Sequence, residues 1–163
     1  MKNPTEWSFA FFDLGAKQAA RRVRLHRNLR DVGAAIHSQS VYCMPYSKYS
    51  FQQLKKLDKD MFVVRANVDE ENIDELVQAY DSFISNLMVN ISKKIDELED
   101  AKAASVDMVS KRGYTKRFNK MGERLERLDN VAYLRQDPKC TDKVEEFKRR
   151  VAQIDTYEMG KLI

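Results

Sequence analysis

Six basic residues lie close together near the amino terminus, and the sequence between residues 17 and 30 contains no acid. Arginine binds phosphate well because its planar guanidinium faces two oxygens at once. A helix that carries several such side chains can follow the phosphates of a nucleic acid. We therefore predict a DNA-binding surface made by Lys17, Arg21, Arg22, Arg24, Arg27 and Arg30.

A second interpretation of this basic helix stays open. Exposed helix faces are often charged without binding a ligand. The segment that begins at Asp69 also offers partners, since residues 69–100 contain ten acids and two lysines. Under this interpretation the arginines are solvated, or some of them pair with that acidic segment.

Asp13 follows an aromatic segment that we predict to be a strand, and functional carboxylates are common where strands end. If two subunits each supply one Asp13, the pair can bind Mg²⁺ for phosphodiester hydrolysis. The competing interpretation is that Asp13 caps the next helix. Because one carboxylate per subunit is a small ligand set for Mg²⁺, we favour a protein that is not an enzyme and has no cofactor.

The histidines and one aromatic cluster give weaker indications. Neither His26 nor His37 has a cysteine or a carboxylate at metal-ligand spacing, so we predict structural roles for both. Four aromatic residues around the end of a predicted strand can stack on bases or pack in the core, and we favour the core. They are Tyr42, Tyr46, Tyr49 and Phe51.

Four short strands and two helices are predicted before Asp69. Gly33 ends the basic helix, and Ser50–Gln53 has the form of a capping box that starts the second helix. The predicted elements are a central strand Trp7–Leu14, a helix Lys17–Val32, strands Ala34–His37 and Ser40–Met44, a helix to Lys56, and a strand Met61–Asn67. This βαββαβ order is the ferredoxin-like arrangement.

The remainder of the chain is predicted to be helical. An apolar stripe runs from Ile73 to Leu98, a second helix covers Tyr114–Leu128, and a loop at Asp129–Thr141 precedes a last helix. Residues 111–150 carry thirteen Lys and Arg against seven acids, which complements the acidic helix before them. We predict an α+β protein with a ferredoxin-like domain at residues 1–68 and a long antiparallel helical hairpin at residues 69–163.

Composition limits the class of protein. The 163 residues are 43% hydrophobic and 33% charged, and they include only five Gly and three Pro, which argues against an all-β fold. No run approaches the roughly 20 apolar residues that span a bilayer, and the amino terminus does not have the pattern of a signal peptide. Cys43 and Cys140 lie far apart, so we predict two free thiols in the cytoplasm and no membrane association.

The segment from Phe9 to Met44 resembles the start of the amino-terminal domain of the chromate-resistance regulator ChrB. FAFFDL is similar to the family's first strand, RRVRLHRNLRDVGAA to its helix, and VYCMP to a later strand. MFVVRANV, a long helix with Tyr80, and VEEFKRRVAQID follow in the family's order, so the resemblance covers most of the chain. The positions that match the family motif are Arg22, Arg24, Leu29, Gly33, Ala34, Val41, Tyr42, Met44 and Pro45.

The same opening resembles the small nuclease-fold protein of CRISPR spacer acquisition and the carboxyl-terminal part of PaaX-type repressors. In the CRISPR group an aspartate ends the first strand, as Asp13 does here, and this resemblance implies a homodimer through the sheet. The chain departs from each family. It matches neither the chromate-resistance domain of full-length ChrB nor the winged helix of PaaX, and the CRISPR protein has no long hairpin.

Three functions are consistent with these features. The leading hypothesis is a ChrB-like regulatory or nucleic-acid-associated protein, a homodimer that binds DNA phosphates through its arginine-rich helix. The first alternative is a Mg-dependent nuclease-like protein that uses Asp13. The second is a non-catalytic protein-interaction module that uses its apolar helical stripe.

Overall fold

A computed structural model describes residues 3–103 and 111–161, and it places side chains at residues 3–102 and 115–154. The protein is α+β. Its elements are β1 (Glu6–Phe11), a 3-10 turn (Ala16–Gln18), α1 (Ala19–Asp31), β2 (Ala35–Ser38), β3 (Val41–Pro45), α2 (Lys48–Lys55), β4 (Phe62–Asn67), α3 (Glu70–Ala103), α4 (Lys111–Arg135) and α5 (Pro138–Lys161).

The four strands form one antiparallel sheet in the order β2-β3-β1-β4. β1 is central, as predicted, because it pairs with β3 on one side and with β4 on the other. It ends at Phe11 rather than at the predicted Leu14. Phe11 pairs directly with Phe62 and Phe9 with Val64, so these four side chains share one face of the sheet.

Tyr80 joins the long helix α3 to the sheet. Its ring meets Trp7 of β1 edge to face at 5.8 Å between centroids, and both side chains are fully buried. Its hydroxyl donates a 2.9 Å hydrogen bond to the carbonyl of Gly33, between α1 and β2. One residue therefore fixes α3 against both the sheet and the end of α1.

Gly33 occupies a position that only glycine fits without strain. Its φ angle is +95°, in the region that L side chains rarely adopt. A Cβ atom at this position would lie 2.9 Å from Cγ2 of Val131 on α4, which is closer than carbon atoms approach. The end of α1 and the side of α4 are in contact here through the glycine backbone.

The three long helices pack side by side along the predicted apolar stripe. Arg135 of α4 contacts Asp81 of α3, and Arg150 of α5 contacts Asp96 of α3, so α4 runs against α3 while α5 runs with it. The buried apolar residues of this stripe include most of those predicted: Ile73, Leu76, Val77, Tyr80, Phe83, Ile84, Ile91, Ile95, Leu98, Met121, Leu125, Leu128, Val144, Phe147 and Ile154.

Two further predicted boundaries are wrong. The loop predicted at Asp129–Thr141 is mostly helix, because α4 continues to Arg135 and buries Val131 and Ala132. Pro138 then opens α5 at a position where its missing N–H costs no helical hydrogen bond. The other error is the capping box, because Ser47 rather than Ser50 caps α2 and accepts a 3.0 Å hydrogen bond from the Ser50 amide.

Some predictions fall outside the described part of the chain. The side chain of Tyr114 and the interruption predicted around residues 104–110 belong to this group. Of the helices in the described residues, none combines the length and the apolar run that a bilayer crossing requires. Cys43 and Cys140 are free thiols, as predicted, and burial raises the pKa of Cys43 to about 12.

Candidate nucleic-acid interface

The basic residues of α1 divide into two groups, and Arg21 belongs to the group that is bound within the chain. Its Nε donates to Asp58 at 3.0 Å, and its Nη2 donates to Asp60 at 2.8 Å. The guanidinium lowers the pKa of the Asp58 carboxyl, chiefly through the side-chain hydrogen bond. Arg22 similarly donates to the carbonyl of Leu14.

These contacts decide between the two interpretations of the basic helix for Arg21 alone. Arg21 is paired, as the second interpretation allows for some of the arginines, but its partners Asp58 and Asp60 precede β4 and do not belong to the acidic segment that begins at Asp69. The other cations are exposed and make no ion pair with a carboxylate of the described residues. They are Lys17, Arg24, Arg27 and Arg30, with Arg22 exposed beside its carbonyl partner.

Two of these cations line a groove of about 370 Å³ between α1, α3 and α4. Arg27 and Arg30 enter it from α1, and Arg124 and Arg127 enter it from α4. Each pair is spaced three residues apart, which places both side chains on one helix face. These four arginines and the recess that they line are called the basic groove below.

The electrostatics of the basic groove are unbalanced. Among the described residues that line it, Asp31 is the single carboxylate, and it lies 3.0 Å from Arg127. Four guanidinium groups therefore share one anion. Like charges that line one recess repel, and an anionic ligand removes that repulsion.

The positive charge continues along α4 beyond the basic groove. Arg117, Lys120 and Arg124 line a second recess of about 610 Å³, which faces Lys94, Glu97 and Asp100 of α3. With Arg127 they recur every three or four residues, so they form one row about 15 Å long. The row Arg117, Lys120, Arg124 and Arg127 is called the basic stripe below.

Neither histidine belongs to a metal-binding cluster of the described residues. His26 lines the basic groove, and its Nδ1 makes a hydrogen bond to the hydroxyl of Tyr42, which is buried in the core. His37 meets Glu75 of α3 at 3.0 Å. Of the aromatic cluster, Tyr42 is a core residue as predicted, whereas Tyr49 is 72% exposed.

Asp13 lies exposed between β1 and the 3-10 turn. The capping interpretation is wrong, because Gly15 precedes the turn and Gln18 precedes α1, and neither start has a side-chain cap. Within the described residues, no group of three or more His, Cys, Asp or Glu is placed to hold a metal ion. A Mg²⁺ site shared by two copies of Asp13 stays a prediction, since it needs a second chain.

The sequence did not point to the α3 and α4 side of the basic groove. Arg124 and Arg127 are two of thirteen Lys and Arg between residues 111 and 150, and Asn86 and Asn90 belong to no motif. One signal was visible, because helical spacing places Val23 on the side of α1 opposite Leu25 and Leu29. In the structure it is 59% exposed and lines the basic groove.

No protein-family model and no curated protein sequence matches this chain. The resemblance to ChrB therefore stays a prediction.

Proposed function

We propose that this protein is a non-catalytic nucleic-acid-binding protein that holds phosphates in the basic groove and along the basic stripe. The observation that carries the proposal is the convergence of four arginines from two helices on a groove lined by one carboxylate. Repulsion among these four guanidinium groups contributes nothing favourable to the fold. A bound polyanion neutralises them.

A polymer fits this surface better than a single small anion does. The basic stripe is about 15 Å long, and Lys17 of the 3-10 turn and Arg24 of α1 add exposed charge. Nucleic acids carry closely spaced phosphates and release condensed counterions when cations bind them. A row of cations that leads into a groove can therefore contact several consecutive phosphates of one strand.

The proposal also takes in the resemblance to ChrB, with a regulatory role in chromate resistance as the implied setting. The antiparallel order β2-β3-β1-β4, with a helix after β1 and another after β3, supports a ferredoxin-like domain at residues 1–68. The three long helices would then form an extension at residues 69–163. The extension supplies Arg124 and Arg127, so both parts contribute to the basic groove.

We further propose that the protein acts as a homodimer through β4. This strand is an edge of the sheet, and unpaired edges are open to another strand. Its outward residues are apolar, since Phe62 is 65% exposed and Val64 is 41% exposed, and Phe62 stacks on Phe11. A two-fold pairing of β4 with the β4 of a second copy satisfies the edge and places the Phe62 and Val64 side chains of the two copies next to each other.

Salt-dependent binding tests the nucleic-acid proposal. We expect the wild-type protein to bind a labelled DNA of about 20 nucleotides at low salt, with affinity falling steeply as salt rises. Arg124→Gln and Arg127→Gln should each weaken binding and reduce the slope of log K against log salt by about one contact. Fluorescence anisotropy over a salt series measures both quantities.

Arg149→Gln is the matched control. Arg149 is exposed on α5, and its substitution removes the same charge outside the basic groove. It should change binding little. Absence of binding at low salt, or equal losses in Arg124→Gln and Arg149→Gln, would contradict the proposal.

Light scattering tests the dimer. We expect a particle of twice the 19.1 kDa chain mass, and Phe62→Ser should shift it to one chain mass. Tyr133→Ser is the control, since Tyr133 is also an exposed aromatic residue, on α4. A monomeric wild-type protein would remove the dimer from the proposal and leave the basic groove untouched.

A further inference from the structure

The basic groove has an apolar floor as well as charged walls. Ile91 of α3 and Val131 of α4 are almost fully buried at its base, and Leu87 is half-buried beside them. Val23 of α1 lines the same groove with 59% of its surface exposed. An exposed valine on a helix gains nothing from water, so a ligand surface that covers it is favourable.

Side-chain amides complete the lining. Asn86 and Asn90 are exposed on α3 and lie four residues apart, so they share a helix face. Each amide offers two donor hydrogens and an acceptor oxygen. Amides of this kind recognise the polar edges of bases in nucleic acids.

We propose that the basic groove binds an unpaired nucleotide of a single strand, an inference that rests on the proposed function and deepens it. The guanidinium groups of Arg27, Arg30, Arg124 and Arg127 hold the phosphates. Val23 and Leu87, the accessible residues of the apolar floor, cover one face of the base, and the Asn86 and Asn90 amides meet its edge. No covalent step is involved.

The floor is the feature that separates single strands from duplexes. In a duplex the base faces are stacked on their neighbours, so a protein that follows the backbone contacts phosphate and sugar. Such a ligand leaves Val23 and Leu87 uncovered. An unpaired base can leave its stack and lie on an apolar or aromatic surface, and this contact tolerates any base.

Three labelled ligands of the same length, about 20 nucleotides, separate these contributions. They are oligo-deoxythymidine, an abasic single strand with the same phosphates, and a mixed-sequence duplex. We expect the thymidine strand to bind about fivefold or more tighter than the abasic strand, since base contacts add to phosphate contacts. It should also bind tighter than the duplex.

Val23→Ser tests the floor directly. The side chain is exposed, so the variant should fold, and we expect it to weaken thymidine-strand binding about threefold and to leave abasic-strand binding unchanged. Val89→Ser is the matched control, since Val89 is 70% exposed on α3 and does not line the groove. It should change neither affinity.

These measurements separate failure of the unpaired-nucleotide inference from failure of nucleic-acid binding itself. Equal affinity for the thymidine and abasic strands, or a duplex bound more tightly than both, overturns the unpaired-nucleotide inference while phosphate binding stands. Equal losses in Val23→Ser and Val89→Ser overturn it as well. Failure to bind any of the three ligands at low salt removes the proposed function itself.

Discussion

The basic groove and the interface of α3 with α4 and α5 use arginine in opposite ways. In the helix interface, Arg135 meets Asp81 at 2.6 Å, and Arg150 meets Asp96 at 2.6 Å and Glu99 at 2.9 Å. In the basic groove, four arginines share one carboxylate. A cation therefore serves either the fold or a ligand according to its partners, which a count of charges along the chain does not reveal.

The same division occurs within the single helix α1. Arg21 is held by Asp58 and Asp60, so it attaches the helix to the turn before β4. Arg27 and Arg30 lie up to three turns further along and face the basic groove. The paired residue positions the helix, and this leaves the unpaired residues in place for a ligand.

Among the substitutions considered, removal of the Asp81 carboxylate should lower the stability of the protein most. Arg135 is 1% exposed, and its Nη1 finds no hydrogen-bond partner among the described residues, so its two hydrogen bonds to Asp81 are the main compensation of the buried charge. We expect Asp81→Ala to lower the free energy of unfolding by about 3 kcal/mol, since an uncompensated buried cation is costly. Urea denaturation measures it.

Asp142→Ala is the control for this substitution, because Asp142 is exposed on α5 and forms no ion pair with the described residues. It should change stability by less than about 0.5 kcal/mol. A similarly small effect of Asp81→Ala would show that Arg135 does not depend on its carboxylate.

One arginine from each region can be replaced by glutamine and the effects on stability compared. We expect Arg150→Gln to cost about 1 kcal/mol of unfolding free energy, because the guanidinium bridges two half-exposed carboxylates of α3. Arg124→Gln should cost nothing or stabilise slightly, since it relieves repulsion in the basic groove. Equal costs from thermal or urea unfolding would erase the distinction between the two regions.

The smallest expected effect concerns Asp58. Its pKa is lowered below the ordinary 3.8 chiefly by the Arg21 hydrogen bond, so the pair stabilises the fold above that pH. The contribution is lost as the pH falls below 3.8 through the lower folded value. Carboxyl NMR titration should show this lowered pKa, and Arg21→Gln should return it toward 3.8. An unchanged pKa in that variant would contradict the pairing.

Local pattern was sufficient to predict most of the fold. The alternation before Asp69 predicted four strands and two helices, and the aromatic first strand, predicted to be central, pairs with β3 on one side and β4 on the other. The 3-4 spacing from Ile73 predicted the buried face of α3. These signals are local, so they are visible before the chain folds.

The errors arise where tertiary packing outweighs local pattern. Asp137-Pro138 looked like the centre of a long loop, yet α4 extends to Arg135 because Val131 and Ala132 are buried against neighbouring elements. The basic groove was missed for a related reason. It joins α1 to α4 across nearly a hundred residues, and no local window contains both sides.

Gly33 has a consequence for the basic groove, although it contributes no atom to the lining. Its absent methyl lets Val131, a floor residue, come within van der Waals range of the backbone that ends α1. Any larger residue would clash with Val131, push α1 away from α4 and so move the arginines of α1 away from those of α4. The spacing between the two halves of the phosphate-binding surface is thus set by the smallest residue in the protein.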